Sequence, residues 1–127
     1  MSDIVKKAED YAVALLSNAL DAKYLYHNLQ HTQRVVKNTK QLLNASSLTE
    51  KEKEWLLLAA WLHDLGYTKT YADHEEMSCG LTASFLKAQD YDEKSIKMVT
   101  GLIMATKRYH KPENLSEQIL RDADSSH

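Results

Sequence analysis

One of the six histidines of this chain, His63, stands directly before an aspartate, Asp64. The pair follows a strongly apolar stretch, residues 55–62, and precedes Gly66. Two ionisable side chains at the end of a buried helix cost free energy unless charged partners or a cation offset their lost hydration. Imidazole nitrogen and carboxylate oxygen suit Mn, Fe, Ni or Mg better than they suit a closed thiolate zinc site. The pair therefore predicts a divalent metal site, with a capped helix end carrying a surface ion pair as the alternative.

Further ligands for such a cation must come from other parts of the chain, since two side chains hold an ion poorly. His31 interrupts a segment that otherwise packs through apolar residues such as Val35, and Asp122 and Asp124 end the last apolar stretch. Helical bundles build metal sites in their cores from side chains on several helices. The alternatives are a hydrogen-bonded core histidine for His31 and solvated terminal charges for the two aspartates.

The elements that must position these residues are predicted to be helices. The 127 residues include only 3 Gly and 1 Pro, which leaves few turn formers, and Ala, Leu, Lys and Glu are among the best helix formers. Apolar periodicity predicts an all-α chain with helices over 2–20, 29–44, 49–66, 73–88, 93–106 and 115–124. Residues 21–29 are interpreted as a connection and residues 67–72 as a loop.

Three helix boundaries carry specific signals. Thr49 and Glu52 form a capping-box pattern that opens the third helix. Gly66 stands where a left-handed residue would end that helix. Asp73, three residues before Glu76, predicts a side-chain cap for the fourth helix.

Length, net charge and cysteine content narrow the classes of function that this chain could have. A length of 127 residues fits a single domain, residues 1–127. The formal net charge of -2 gives no electrostatic case for a nucleic-acid coat, and no apolar run approaches the ~20 residues that span a bilayer. The single Cys79 cannot form an intramolecular disulfide, and a cytoplasmic location is the default expectation. The last apolar pattern has barely begun when the sequence stops, so we hypothesise a fragment truncated just after Asp124, with a C-terminal fused domain or a homo-oligomer left open.

The candidate ligands lie in three short motifs whose order is informative. They read YHNLQH at 26–31, WLHDLGY at 61–67 and LRDAD at 120–124. An isolated His, an adjacent His-Asp pair and a distant Asp in this order resemble the HD-domain superfamily of metal-dependent phosphohydrolases. The resemblance covers nearly the whole chain. It implies a bundle of five to seven helices with the metal site in the bundle core.

The resemblance also assigns the metal ligands residue by residue. It makes His31 the first ligand, His63 and Asp64 the signature pair, and Asp124 the last ligand. Asp124 is chosen over Asp122 because it follows an alanine, as the metal aspartate of the family usually does. Asp122 is then a partner of the site or a surface charge. The ligand set implies a divalent ion, Mn, Fe, Ni or Mg.

The sequence departs from the two-metal pattern that many relatives share. His74 looks like the first of two additional histidine ligands, although a surface residue in a first helical turn is an equal alternative. The second histidine should fall near Thr106, where none stands, and His110 lies too far into the following loop. We therefore expect one ion per chain, with a dinuclear site only if His110 folds back. The Glu that follows the His-Asp pair in longer catalytic signatures is also absent.

The resemblance implies hydrolysis of a phosphate ester, in a nucleotide or a related small phosphorylated metabolite. Asp64 would ligate and accept the proton of the attacking water, and His74 or Glu75 would protonate the leaving oxygen. Arg34 and Lys107 could bind a phosphate, with solvated surface charge as the alternative for both. The competing function is a catalytically weak module that binds metal and nucleotide and regulates a partner domain.

Overall fold

The computed structural model describes residues 3–17, 22–69, 73–107 and 110–125, and over these residues the chain is all-α. This confirms the predicted fold class. Within these ranges, six α-helices and one short 3-10 turn follow one another. They are α1 (Asp3–Ser17), α2 (Ala22–Asn44), α3 (Glu50–Leu62), the 3-10 turn (Leu65–Thr68), α4 (His74–Ala88), α5 (Glu93–Met104) and α6 (Leu115–Ser125).

Helix α3 is the centre of the bundle. All of its residues from 56 to 62 are buried, so this helix has no solvent face over its last two turns. A helix that is apolar all round must be surrounded by other helices, and α3 contacts α1, α2, α5 and α6. The two residues that follow α3, His63 and Asp64, therefore lie in the interior of the protein.

The start of α3 matches its sequence signal. The backbone N–H of Glu52 donates to the Thr49 side chain at 3.1 Å, and the Thr49 backbone N–H donates to the Glu52 carboxylate at 3.0 Å. This confirms the predicted capping box. The two bonds satisfy backbone donors that the helix itself leaves without partners.

The prediction for Gly66 is wrong. No glycine in the described ranges has a positive φ, α3 ends at Leu62, and Gly66 lies in the 3-10 turn. A Cβ at this position would collide with the backbone carbonyl of His74 and would lie 2.9 Å from Ser78 Oγ. Gly66 is needed because the first turn of α4 packs directly on its Cα, and its own N–H donates to Ser78 Oγ at 2.7 Å.

The prediction of a side-chain cap at Asp73 is also wrong, although α4 begins directly after it. Asp73 has a left-handed backbone, with φ 55°, and its side chain makes no capping hydrogen bond. The left-handed geometry turns the carboxylate away from the N–H groups that an extended cap residue would serve.

The second helix is longer than predicted. The connection proposed for 21–29 is wrong from Ala22 onward, because α2 already begins there. That segment lacks an apolar period, but it holds no Gly or Pro that would interrupt the backbone hydrogen bonds once the helix has formed. Residue 21, the proposed ends of the first helix at 2 and 18–20, and residues 70–72 of the proposed loop lie outside the described residues. Within the described part of the chain, no helix combines the length and the apolar character needed to cross a membrane.

Candidate metal centre

His63 follows the last turn of α3 and is held there by the helix itself. Its Nδ1 lies 2.8 Å from the carbonyl oxygen of Ala60. A carbonyl oxygen can only accept, so Nδ1 carries a proton and the neutral ring presents a lone pair at Nε2. That Nε2 atom is buried and has no hydrogen-bond partner among the described residues. The sequence folds so that a buried nitrogen lone pair points into the site.

Three other predicted ligands meet this nitrogen. His63 Nε2 lies 3.3 Å from Asp64 Oδ2 and 3.3 Å from Asp124 Oδ1. His31 Nε2, from α2, lies 2.9 Å from Asp124 Oδ1 and 3.4 Å from Asp64 Oδ2. Side chains that are far apart in sequence thus converge where α2, the end of α3 and α6 meet.

The spacing of these atoms fits a first-row divalent ion. Metal–ligand bonds of ~2.1 Å at right angles place neighbouring ligand atoms ~3.0 Å apart, and tetrahedral angles place them ~3.4 Å apart. The distances from each histidine Nε2 to the two carboxylates, from 2.9 to 3.4 Å, fall within that range. The ligand atoms of His31, His63 and Asp124 all lie within 4.8 Å of one another, and Asp64 borders this group of three through its contacts with the two histidines. The donor set, two imidazoles and two carboxylates, is the mixed hard and borderline set that such ions accept.

The pKa shifts of the cluster also indicate that a positive charge is favoured beside its carboxylates. Burial by itself lowers the pKa of His63, but the neighbouring carboxylates of Asp64 and Asp124 outweigh it and raise that pKa well above its usual value. Burial raises the pKa of Asp64, yet contacts with His63, His74 and His31 bring it far below the usual range. The pKa of Asp124 is lowered in the same way, against burial, by His31 and His63. A proton on His63 is thus favoured by the two carboxylates beside it.

The register between α2 and α6 brings His31 and Asp124 together. Asn38, two turns beyond His31, donates from Nδ2 to the backbone carbonyl of Ala123 at 3.3 Å. Ala123 is fully buried, and its small side chain lets the two helices approach. The side chains of His31 and Asp124 are 30% and 25% exposed, whereas the side chain of His63 is 1% exposed. The site is therefore closed on the side of His63 and open on the side of His31 and Asp124.

His74 lies on the opposite side of the Asp64 carboxylate. Its Nε2 is 3.2 Å from Asp64 Oδ1, while Oδ2 of the same carboxylate faces His31 and His63. Its other ring nitrogen, Nδ1, lies 3.5 Å from Glu75 Oε1. Its ring stacks on Tyr67, with centroids 3.9 Å apart and planes at 14°. The structure thus brings His74 and Glu75 to the edge of the cluster.

The structure separates the two terminal aspartates clearly. Asp124 enters the cluster, whereas Asp122 is exposed and accepts a hydrogen bond from Gln118 Nε2 at 2.8 Å. A residue two positions away on a helix points to the other side. Of these two aspartates, Asp124 is the one that lies beside His31 and His63.

Three other candidates do not join the cluster. Lys107 Nζ pairs with Glu76 at 2.7 Å, and His110 Nε2 pairs with Glu117 at 2.8 Å. Glu117 stands seven residues before Asp124 on α6, about 10 Å away along the helix axis. At Thr106 the hydroxyl donates to the carbonyl of Ile103 at 2.6 Å. Arg34 is exposed on α2, one turn after His31.

Sequence reasoning missed four residues that shape the site. The carbonyl of Ala60 fixes the tautomer of His63, Asn38 holds α6 in register, Tyr67 stacks on His74, and Ser78 accepts from Gly66. The position of Ala60, three residues before His63 in a helix, could have indicated the first contact. The other three join different elements, and no local pattern reports them.

The chain was compared with known proteins in three ways. The family model described as HD domain matches residues 28–127. A comparison with curated proteins and one with solved structures gave no match. The matched range includes His31, the His63–Asp64 pair, His74 and Asp124.

Proposed function

Because this chain belongs to the HD-domain family, whose members are mostly metal-dependent phosphohydrolases, we propose that it hydrolyses a phosphate ester with the help of one divalent ion. The proposed substrate is a nucleotide or a related small phosphorylated metabolite. The observation that carries the proposal is the buried Nε2 of His63, which has no hydrogen-bond partner among the described residues and faces two carboxylates. A lone pair beside two anions is stable only if a cation or a proton lies between them.

We assign the metal ligands to His31, His63, Asp64 and Asp124. A bound divalent ion would lower the pKa of a coordinated water and neutralise charge on the phosphoryl oxygens. The carbonyl of Ala60 keeps the proton of His63 on Nδ1, so that Nε2 remains available for coordination.

Proton movements in this proposal use the side of Asp64 that faces His74. Asp64 Oδ1, 3.2 Å from His74 Nε2, is the acceptor for a proton from the attacking water. His74, with Glu75 beside its other nitrogen, is the group that returns a proton to the leaving oxygen. Asp64 and His74 in this way form a pair that can accept and donate one proton.

Substrate would approach from the open side of the cluster, where His31 and Asp124 are partly exposed. Arg34 is exposed one turn after His31 on α2, and its planar guanidinium would meet a phosphate there. Lys107, also a predicted phosphate ligand, already has Glu76 as its counter-ion. We therefore assign phosphate binding to Arg34 first and expect a smaller contribution from Lys107.

Metal analysis and an activity screen with a matched pair of variants test the proposal. The purified chain is loaded with Mn²⁺, its metal content is measured, and phosphomonoesters, phosphodiesters and nucleotides are offered as substrates. We expect about one ion per chain and turnover of at least one phosphate ester. Asp124→Asn should lose both, and Asp122→Asn, a change of the same kind on the same helix, should retain both. A wild-type chain that binds no Mn²⁺, Fe²⁺ or Ni²⁺ contradicts the proposal.

A regulatory metal and nucleotide module is the second candidate. It is favoured by Thr106, which stands where relatives with two metals have a histidine and whose hydroxyl is occupied by the carbonyl of Ile103. Such a module would bind the ion and gain thermal stability from a nucleotide, yet turn over none of the screened esters. The same screen therefore separates the two candidates.

A further inference from the structure

We propose that Tyr67 is a positioning residue that holds the imidazole of His74 against Asp64. The tyrosine ring lies 3.9 Å from the histidine ring, centroid to centroid, and the two planes differ by 14°. This stacking fixes the plane of the imidazole, while its Nε2 faces Asp64 Oδ1 at 3.2 Å. The catalytic part of this inference rests on the function proposed above, but the positioning itself does not.

The backbone brings Tyr67 and His74 together through Gly66. The first turn of α4 packs on the Cα of Gly66, where any side chain would collide with the carbonyl of His74. The Gly66 N–H donates to Ser78 Oγ at 2.7 Å, and Ser78 is one turn after His74 on α4. The 3-10 turn and the start of α4 are therefore one packed unit, and Tyr67 is the residue of that turn whose ring meets His74.

Among the described residues, the polar contacts of the His74 ring are Asp64 at 3.2 Å on Nε2 and a longer one on Nδ1. Glu75 Oε1 lies 3.5 Å from Nδ1, which is longer than a usual hydrogen bond of 2.7–3.2 Å. Asp73, directly before His74, makes no side-chain capping bond that would stiffen this end of α4. A histidine at a helix start can rotate about its side-chain bonds between staggered positions. The parallel Tyr67 ring favours the position in which the imidazole plane faces it.

A double-mutant cycle separates positioning from a general effect on folding. Tyr67→Leu removes the ring in the wild-type background and in a His74→Ala background, and kcat and KM are measured for all four proteins with Mn²⁺. Aromatic pairs contribute ~0.5–1.5 kcal/mol beyond simple burial, so we expect kcat to fall about 2- to 10-fold in the wild-type background, with KM and metal content much less affected. In the His74→Ala background the same change should have no further effect, because the ring that Tyr67 positions is gone.

Two variants control the experiment. Tyr67→Phe keeps the stacked ring and should restore most of the kcat lost in Tyr67→Leu. Tyr11→Leu removes another stacked pair, in which the ring of Tyr11 on α1 lies 4.4 Å from the ring of Phe85 on α4 at 8°. Phe85 is eleven residues from His74, about 16 Å along the helix. Tyr11→Leu should therefore lower the melting temperature without the selective fall in kcat. Equal losses from Tyr67→Leu in both backgrounds would overturn the inference.

An NMR measurement tests the positioning even if no substrate is found. The ring protons of His74 lie over the Tyr67 ring, so they should be shifted upfield by its ring current. That shift should disappear in Tyr67→Leu and persist in Tyr67→Phe and Tyr11→Leu. A His74 signal that is the same with and without the Tyr67 ring would overturn the inference. A wild-type chain with the shift but no turnover would instead count against the proposed hydrolysis.

Discussion

The two ends of helix α3 are built in opposite ways. At its start, Thr49 and Glu52 exchange two hydrogen bonds in an exposed capping box. At its end, His63 and Asp64 are buried, and the Nε2 of His63 is left without a hydrogen-bond partner among the described residues. The first end satisfies its polar groups with its own side chains. The second end leaves a buried polar atom facing two carboxylates.

The difference shows which end serves stability and which serves chemistry. A capping box contributes about 1 kcal/mol and needs nothing from outside the chain. A buried imidazole between carboxylates costs desolvation energy that the metal-free protein offsets only by protonating histidine. Such local inconsistency is typical of functional sites, since sequences are otherwise selected to satisfy buried polar groups.

The largest effect should come from removing the unsatisfied nitrogen itself. We expect His63→Ala to lower kcat/KM by about a thousandfold or more, because a metal ligand and the charge stabilisation that depends on it disappear together. Metal content, measured by mass spectrometry of the purified protein, should fall in parallel. Full activity with an unchanged metal content would contradict the assignment of this end of α3 to catalysis.

Stability against pH should reveal the same cluster without any substrate. Because the pKa values of Asp64 and Asp124 are lowered in the folded protein, the ionised carboxylates stabilise the fold. This stabilisation is complete above the carboxyl pKa of the unfolded chain, about 4, and it is lost as the pH falls through the lowered pKa values. The pKa of His63 is raised above 6.5. The stabilisation by protonated His63 is therefore complete below pH 6.5 and is lost as the pH rises through the raised pKa.

Chemical denaturation of the metal-free protein should accordingly give its highest free energy of unfolding between about pH 4 and 6.5. Mn²⁺ competes with the proton on His63, so the stabilisation by Mn²⁺ should grow from pH 6 to pH 8. A metal-free protein whose stability rises steadily from pH 6 to pH 8.5 would disagree with the cluster as described.

A smaller effect is expected where the 3-10 turn that follows α3 packs on α4. In Gly66→Ala the added methyl group would collide with the carbonyl of His74 and approach Ser78. Overpacking of this kind costs about 1–3 kcal/mol, and the start of α4 should move away from the 3-10 turn. Urea denaturation measures the loss of stability. Gly80→Ala, on α4 where a Cβ meets nothing within 4 Å, is the matched control and should not destabilise the protein.

The smallest effect should come from the other end of α3. Thr49→Ala removes the side chain that accepts from Glu52, and should lower the free energy of unfolding by about 1 kcal/mol. Mn²⁺ affinity, measured by calorimetry, should stay within about twofold, since the capping box is remote from the ligands. A tenfold loss of Mn²⁺ affinity would show that the two ends are coupled.

The parts of the fold that the sequence could predict are those with local causes. The capping box depends on two residues three positions apart, and the all-α class follows from composition and apolar period. The early start of α2 could not be predicted, since helix continuation through a segment without an apolar period is decided by cooperativity. The structure of the 3-10 turn depends on the contact of Gly66 with α4, which is not local in the sequence.

In the site, too, the features with local causes can be predicted, and the contacts between separate elements cannot. His31, His63, Asp64 and Asp124 are predicted from three motifs in order, and in the structure each histidine lies beside both carboxylates. The contacts that orient them, from Asn38 to Ala123 and from Tyr67 to His74, join separate elements and leave no local signal. The counter-ions of Lys107 and His110 were unpredictable for the same reason, because Glu76 and Glu117 reach them through the folding of the loop after α5.

A crystal structure of the protein grown with Mn²⁺, with anomalous diffraction recorded for manganese, would show whether one cation binds among these four side chains. We expect one anomalous peak about 2.1–2.3 Å from His31 Nε2, His63 Nε2, Asp64 Oδ2 and Asp124 Oδ1. An empty cluster at saturating Mn²⁺, with the His63 ring turned so that Nε2 bonds to a protein group, would contradict it.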